Sequence, residues 1–370
     1  MPPTRAGATT APSSSPPAIR ARWLDAGRLA PFDLHAFYHG VAYALRPGDD
    51  PVLIWGRADR AHISLGPHQD AASELEIDDD GRAAGMEVVR RETGGGSVLV
   101  DPNQWIYAFV VPRRSSPGRP QDLYERLLPA VEAAYARFGL NVARRGTNDL
   151  WCGDRKIGGT GMATLGEALV LAGSFLMDFD AERFAAAVKC PSEAFRRFLS
   201  AGLAEAMVPW WACAPPPGAN LLRCALRKGA VKELGWVITP DEPSERERAA
   251  IAEARQELLD PDWRWEPQGR RAVTDGIKLK ADSFLTEGNV PGVGRVTVQT
   301  EAGHIRRLDV AGRPAEQTAA CAGRPAESAA LSGCLGPEVA EAVRTVAVCS
   351  EEEGARRRGG GRRSHEEGTP

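Results

Sequence analysis

The sequence predicts an α/β (α+β) protein, with a mixed-sheet domain ahead of a small α+β unit. Three observations lead there. Short β-rich runs alternate with runs of helical spacing up to about residue 260. A separate strand pattern closed by two short helical runs follows. Composition is that of an ordinary globular chain, with 43% apolar and 26% charged residues in 370. No run of about 18 apolar residues occurs, so no membrane-spanning helix is expected. A net charge of −3 does not suggest a dedicated nucleic-acid binder. The seven cysteines are scattered without zinc-site spacing, and their odd number fits a reducing compartment. A cytoplasmic location is expected. An organellar one stays open, because residues 1–20 lack acids and are rich in Pro, Ser and Ala.

Residues 1–20 read as a disordered arm. A helix is expected over FDLHAFYHGVAYAL (32–45), then strands PVLIWGR (51–57), AHISLG (61–66), MEVVRRET (86–93), SVLV (97–100) and WIYAFVV (105–111). DLYERLLPAVEAAYARFGL (122–140) is the clearest amphipathic helix, with Gly139 where it would end. Short strands follow, among them DLWC, RKIGGTGMAT and EALVLAGSFLM, then helices at 181–188 and 193–207. WWACAPPPGAN (210–220) breaks regular structure, and SERERAAIAEARQELL (244–259) is a charged helix. A boundary near 260 separates residues 21–260 from a unit at 262–346. That unit holds GIKLKADSF, GRVTVQT, HIRRLDV and two short helices. Residues 350–370 read as a disordered tail.

Two segments carry potential chemistry. In RRETGGGSVLVD (90–101), three glycines lie between strand-like runs. Glycine admits positive φ and close approach of a ligand, and N–H groups in such a turn hold anions. GxxxxGK[ST] is absent and a strand follows, so this is no P-loop; a plain hairpin turn is the other reading. In RRGTNDLWCGDRKIGGTGMA (144–163), Lys156 lies on an apolar strand ahead of two glycines. A lysine aimed into a pocket binds phosphate or polarises a carboxylate; the alternative is a surface lysine in a GDRK turn. A hairpin of 149–152 with 155–162 would bring Asp149 near that strand.

These segments, about 45 residues apart, resemble the two signature blocks of the lipoate-protein ligase A family. Its pattern is RR-S-SGGG-A-V-x-HD followed by RNDL…GRKISG-x-A. PVLIWGRADRAHISLGPHQD (51–70) and GEALVLAGSFLMDFDAERFAAAVKCP (166–191) resemble the flanking strands and helix. DWRWEP (262–267), 294–312 and 331–343 resemble the small accessory domain. The resemblance spans most of 23–345 and implies the fold shared by biotin and lipoate ligases and octanoyltransferases.

What it implies is an enzyme of protein lipoylation. ATP with Mg²⁺ would activate lipoate or octanoate as an acyl-adenylate, and a lysine of a lipoyl domain or glycine-cleavage H protein would take the acyl group. Lys156 would be catalytic. Arg91, Thr93, Gly94, Gly95, Gly96, Asn148, Asp149 and Gly159 would bind the acid and nucleotide, with Asp149 on Mg²⁺. The sequence departs from the pattern at three places. Val100 replaces the histidine of the HD pair, and Ala172 replaces a histidine before Gly-Thr. FLSAGLAEAMVPWWACAP (198–215), without Lys or Arg, replaces the KSVRxRVTNL-like segment. Two alternatives therefore stand beside the ligase. One is an ATP-independent transferase through a Cys190 thioester, its thiolate favoured by Lys156. The other is a catalytically weak lipoyl-binding protein.

Overall fold

The computed structural model describes residues 19–115, 118–119, 121–146, 148–267, 276–280, 282–327 and 329–347. The expected tail lies outside them, as does most of the expected arm. Ile19 and Arg20, assigned to that arm, instead open the strand Ile19–Leu29.

An eight-stranded sheet organises the first unit. Its order is Trp236–Asp241, Ile19–Leu29, Val52–Ala58, Gln104–Pro112, Ala168–Leu176, Arg155–Leu165, Asp149–Cys152 and Val142–Arg145. Ile19–Leu29 runs parallel to both neighbours, and the remaining pairs are antiparallel. Its central strands read as unbroken apolar runs because both faces are covered. Leu53, Tyr107 and Phe109 face the helices Asp122–Ala136 and Ala219–Leu234. Val52, Ile54, Ala108 and Val110 face the helix Pro31–Ala44. That helix packs closely on Glu245–Leu259, since a Cβ on Gly40 would lie 2.3 Å from the Ile251 Cα.

Ala219–Leu234 is absent from the sequence expectations, although Gly235 at φ +67° gives it a left-handed C-terminal stop. The preceding PPP masks its start, and alternating Arg, Lys and Leu blur its apolar stripe.

A second sheet of four short strands, ordered Arg82–Ala83, Met86–Arg90, His62–Leu65 and Val98–Val100, carries the residues flanking the glycine turn. The C-terminal strands Ile277–Lys280, Ser283–Val290, Gly294–Glu301 and His304–Val310 form their own antiparallel sheet. Helices Ala315–Ala319, Ala330–Leu335 and 337–347 cover it, burying Val298, Ile305, Leu331 and Val343. DWRWEP does not join that sheet. Pro261–Trp265 packs against Met86–Arg90, where the Trp263 indole N–H donates to Arg90 O at 3.0 Å.

Candidate active site

The two arginines ahead of the glycines point their chemistry in opposite directions. Arg90 is fully buried, and its guanidinium donates to the carbonyls of Pro67, Gln69, Arg264 and Glu266 at 2.8–3.1 Å. It ties the 261–266 segment to the loop after His62–Leu65. Arg91 donates to Ser64 O (2.7 Å), Gly94 O (3.1 Å) and Gly96 O (2.8 Å). Arg91 therefore shapes the turn from behind, and burial lowers its pKa.

The turn Gly94–Gly96 is stitched to the lysine strand. Gly94 N donates to Met162 O at 3.0 Å, and a Cβ on Gly161 would lie 2.4 Å from Gly94 O. Gly95 sits at φ +110°, which disfavours any side chain there. A Cβ on Gly66 would lie only 1.9 Å from Gly95 O. The N–H groups of Gly95 and Gly96 have no acceptor among the described residues. Thr93 is buried beside the turn.

Lys156 stands on Arg155–Leu165, whose register against Asp149–Cys152 slips between Lys156 and Gly158. The slip sets Gly159 opposite Asp149 and lets the Lys156 Nζ reach Asp149 Oδ1 at 2.6 Å. A Cβ on Gly159 would come within 3.1 Å of that Nζ, so glycine leaves room for the pair. Asn148 fixes the far strand, its side-chain N–H donating to Thr160 O at 2.7 Å while Thr160 Oγ1 donates back to Asn148 O at 2.9 Å.

Glycine turn and lysine meet in one cavity of about 510 Å³. Arg91, Thr93, Gly94, Gly95, Gly96, Asn148, Lys156 and Gly159 all line it. Asp149 is not among its lining residues and reaches it through Lys156. The apolar part of the wall comes from Leu34, Val98, Ile106, Leu199 and Met207, together with the departures Val100 and Ala172.

Cys190 does not line the cavity. It packs against an apolar cluster containing Phe195 and Leu199, and burial pushes its thiol up to about 11. The expectation of a favoured thiolate is thus reversed, because loss of hydration disfavours the charged sulfur.

Sequence reasoning also missed polar groups at the cavity wall. His35 and Tyr38 line it, with His35 Nδ1 2.8 Å from the Tyr38 hydroxyl and His35 Nε2 3.1 Å from His62 Nε2. Neighbouring His39 is fully buried and lies 3.5 Å from Glu92 Oε1. Burial lowers all three histidines, His62 to about 4 and His39 to about 3, so each is neutral near pH 7. A helix with histidines at 35 and 39 is the only sequence signal for this cluster.

No group of three or more His, Cys, Asp or Glu that could hold a metal occurs among the described residues. Asp149, the expected Mg²⁺ ligand, is instead paired with an ammonium. The residues present do not fit a resident metal site.

Residues 38–207 match the model of the lipoyl protein ligase A/B catalytic domain. That segment is thus similar to this family's catalytic domain. An octanoyltransferase of Moorella thermoacetica is 28% identical over 208 residues, which is 50% of this chain and 75% of that relative. Four further curated relatives are covered over 34–64% of their own lengths. Among solved structures, a bipartite archaeal lipoate protein ligase from Thermoplasma acidophilum, described with its E2 lipoyl domain, gives a TM-score of 0.62 at 21% identity. It covers 69% of this chain and 99% of that one. A lipoate-protein ligase A bound with ATP gives 0.57 at 20% identity, covering 66% and 98%. The fold is therefore that of the lipoate ligases.

Proposed function

We propose that this protein joins lipoate or octanoate to a lysine of an acceptor protein, with ATP as activating co-substrate. The observation that carries the reading is the shared cavity. An apolar wall, Lys156 and two glycines whose N–H groups have no acceptor among the described residues all line it. A medium-chain acid would bury its chain against the apolar wall and leave its carboxylate at the polar end.

The chemistry follows from that placement. Lys156 holds the carboxylate, and the Gly95 and Gly96 N–H groups face oxygens that become more negative on reaction. A carboxylate oxygen attacks the α-phosphorus of ATP, forming the mixed anhydride and releasing pyrophosphate. The uncharged ε-amine of the acceptor lysine then attacks the acyl carbonyl. An amide forms, AMP leaves and the amine loses a proton. Asp149 orients Lys156 throughout by its ion pair. Any Mg²⁺ would arrive with the phosphates, since this ion keeps few protein ligands. The acceptor is a lipoyl domain or glycine-cleavage H protein, and residues 277–280, 282–327 and 329–347 form an accessory unit beside the catalytic one.

The thioester transferase remains as a second reading because the Moorella relative is an octanoyltransferase covered over 75% of its length. The raised pKa and packing of Cys190 weigh against it. One assay separates the two. The full chain is incubated with an apo lipoyl domain and either octanoate, ATP and Mg²⁺, or octanoyl-carrier protein. We expect mass increase of the acceptor in the first mixture. Modification only in the second would overturn the ligase.

A further inference from the structure

We propose that Lys278, on the first strand of the C-terminal sheet, receives the phosphate of the activated acyl donor. This inference rests on the function proposed above and assigns a residue outside the matched catalytic domain.

Among the described residues the cavity is lined by few cations, and two are committed. The Arg91 guanidinium is spent on the carbonyls of Ser64, Gly94 and Gly96. The Lys156 ammonium is held at 2.6 Å by Asp149. The residues that Glu193–Ala206 and its continuation contribute to the wall, Leu199, Leu203 and Met207, carry no charge. Lys278 also lines the cavity, and among the described residues it has no carboxylate partner. Its neighbour Lys280 does, pairing with Glu301.

The strand that carries it is held in place by its apolar neighbours. Ile277 and Leu279 pack into the cluster containing Phe195 and Leu199. A Cβ on Gly202 would lie 2.4 Å from Leu279 Cδ1, so helix and strand touch without spare room. A Cβ on Gly276 would lie 2.4 Å from Thr286 Cγ2, which holds the strand's start against its neighbour. Lys278, between two anchored apolar residues, lines the cavity and is exposed, so its long stem leaves the ammonium hydrated and free to move. A phosphate brings negative charge that, among the described residues of the catalytic unit, no uncommitted cation lining the cavity meets. A point charge on a long stem is suited to that task.

The phosphate has two sources: the nucleotide of a ligase, or the phosphopantetheine phosphodiester of a carrier-bound acyl thioester. The test uses the full chain with Lys278→Met and Lys278→Arg. Acyl transfer to an apo lipoyl domain is measured with octanoate and varied ATP–Mg²⁺, then with varied octanoyl-carrier protein. Whichever donor the wild type uses, Lys278→Met should raise its KM by about tenfold or more, the worth of one charge-assisted hydrogen bond. The KM for the acceptor domain should not move, and Lys278→Arg should recover most of the loss. An unchanged donor KM in Lys278→Met overturns the inference while leaving the enzyme reading intact. A wild type inactive with both donors overturns the enzyme reading. Titration with inorganic pyrophosphate then decides Lys278. Binding lost in Lys278→Met supports it, and no binding to the wild type, or equal binding, overturns it.

Discussion

Replacing Lys156 by arginine tests the proposed chemistry while keeping the positive charge. The ammonium sits 2.6 Å from Asp149, with the two side chains 31% and 33% exposed. A pair so open to water contributes only about 0–1 kcal/mol to stability, so the variant should fold with little change in Tm. Catalysis should suffer far more. The position a Gly159 Cβ would occupy is 3.1 Å from Nζ and 3.2 Å from Cε, so the slim amine chain uses the space that glycine leaves open. A planar guanidinium is longer and wider than an ammonium. It must leave Asp149 or displace the strand, and in either case its N–H groups miss the carboxylate. Loss of a transition-state contact of this kind costs on the order of 3 kcal/mol, about a hundredfold in rate or more. The assay is the rate of octanoylation of an apo lipoyl domain, followed by mass spectrometry, beside a thermal unfolding curve. A Lys156→Arg protein with wild-type rate and wild-type Tm would refute the role assigned to Lys156.

Other expectations follow from neighbouring geometry. Cys190→Ser should retain ATP-dependent transfer within about threefold, its cost confined to roughly 1 kcal/mol of packing; a folded but inactive variant, indifferent to ATP, would favour the thioester route. Gly161→Ala should destabilise by about 1–3 kcal/mol in urea unfolding, because its Cβ would meet Gly94 O at 2.4 Å between two backbones. Gly159→Ala should keep near-wild-type stability, since only the end of Lys156 must yield. Equal effects of the two substitutions would show that the turn is not braced by Gly161. Stability should also fall in acid. The native state keeps His35, His39 and His62 neutral, whereas in the unfolded chain each takes up a proton near its ordinary pKa of 6.5. Unfolding therefore becomes easier as pH drops from about 6.5 towards 4, by on the order of 1.4 kcal/mol per pH unit for each histidine. The urea midpoint followed against pH should steepen in that window, and His39→Leu should flatten it. An unchanged slope in His39→Leu would refute the assignment.

The sequence alone determined the elements with strong local signals. DLYERLLPAVEAAYARFGL forms a helix over Asp122–Ala136, and the GDRK turn makes the hairpin that sets Asp149 beside Lys156. Both depend on neighbours within a few residues, which is why period and turn chemistry exposed them. The glycine turn and the lysine strand, about 45 residues apart, were legible as blocks for the same reason. Only the tertiary structure decided what those blocks touch. It turned the Arg91 guanidinium onto carbonyls behind the turn and set Gly161 against Gly94 O. It packed a half-buried Cys190 against apolar side chains. It also brought Lys278 from the C-terminal sheet to the same cavity as Lys156. These outcomes depend on which strands pair and which faces are desolvated, quantities set by contacts among residues tens to hundreds of positions apart. A thiol or guanidinium has one pKa and one set of partners in water and another in a packed interior, and no local pattern records which interior it will enter.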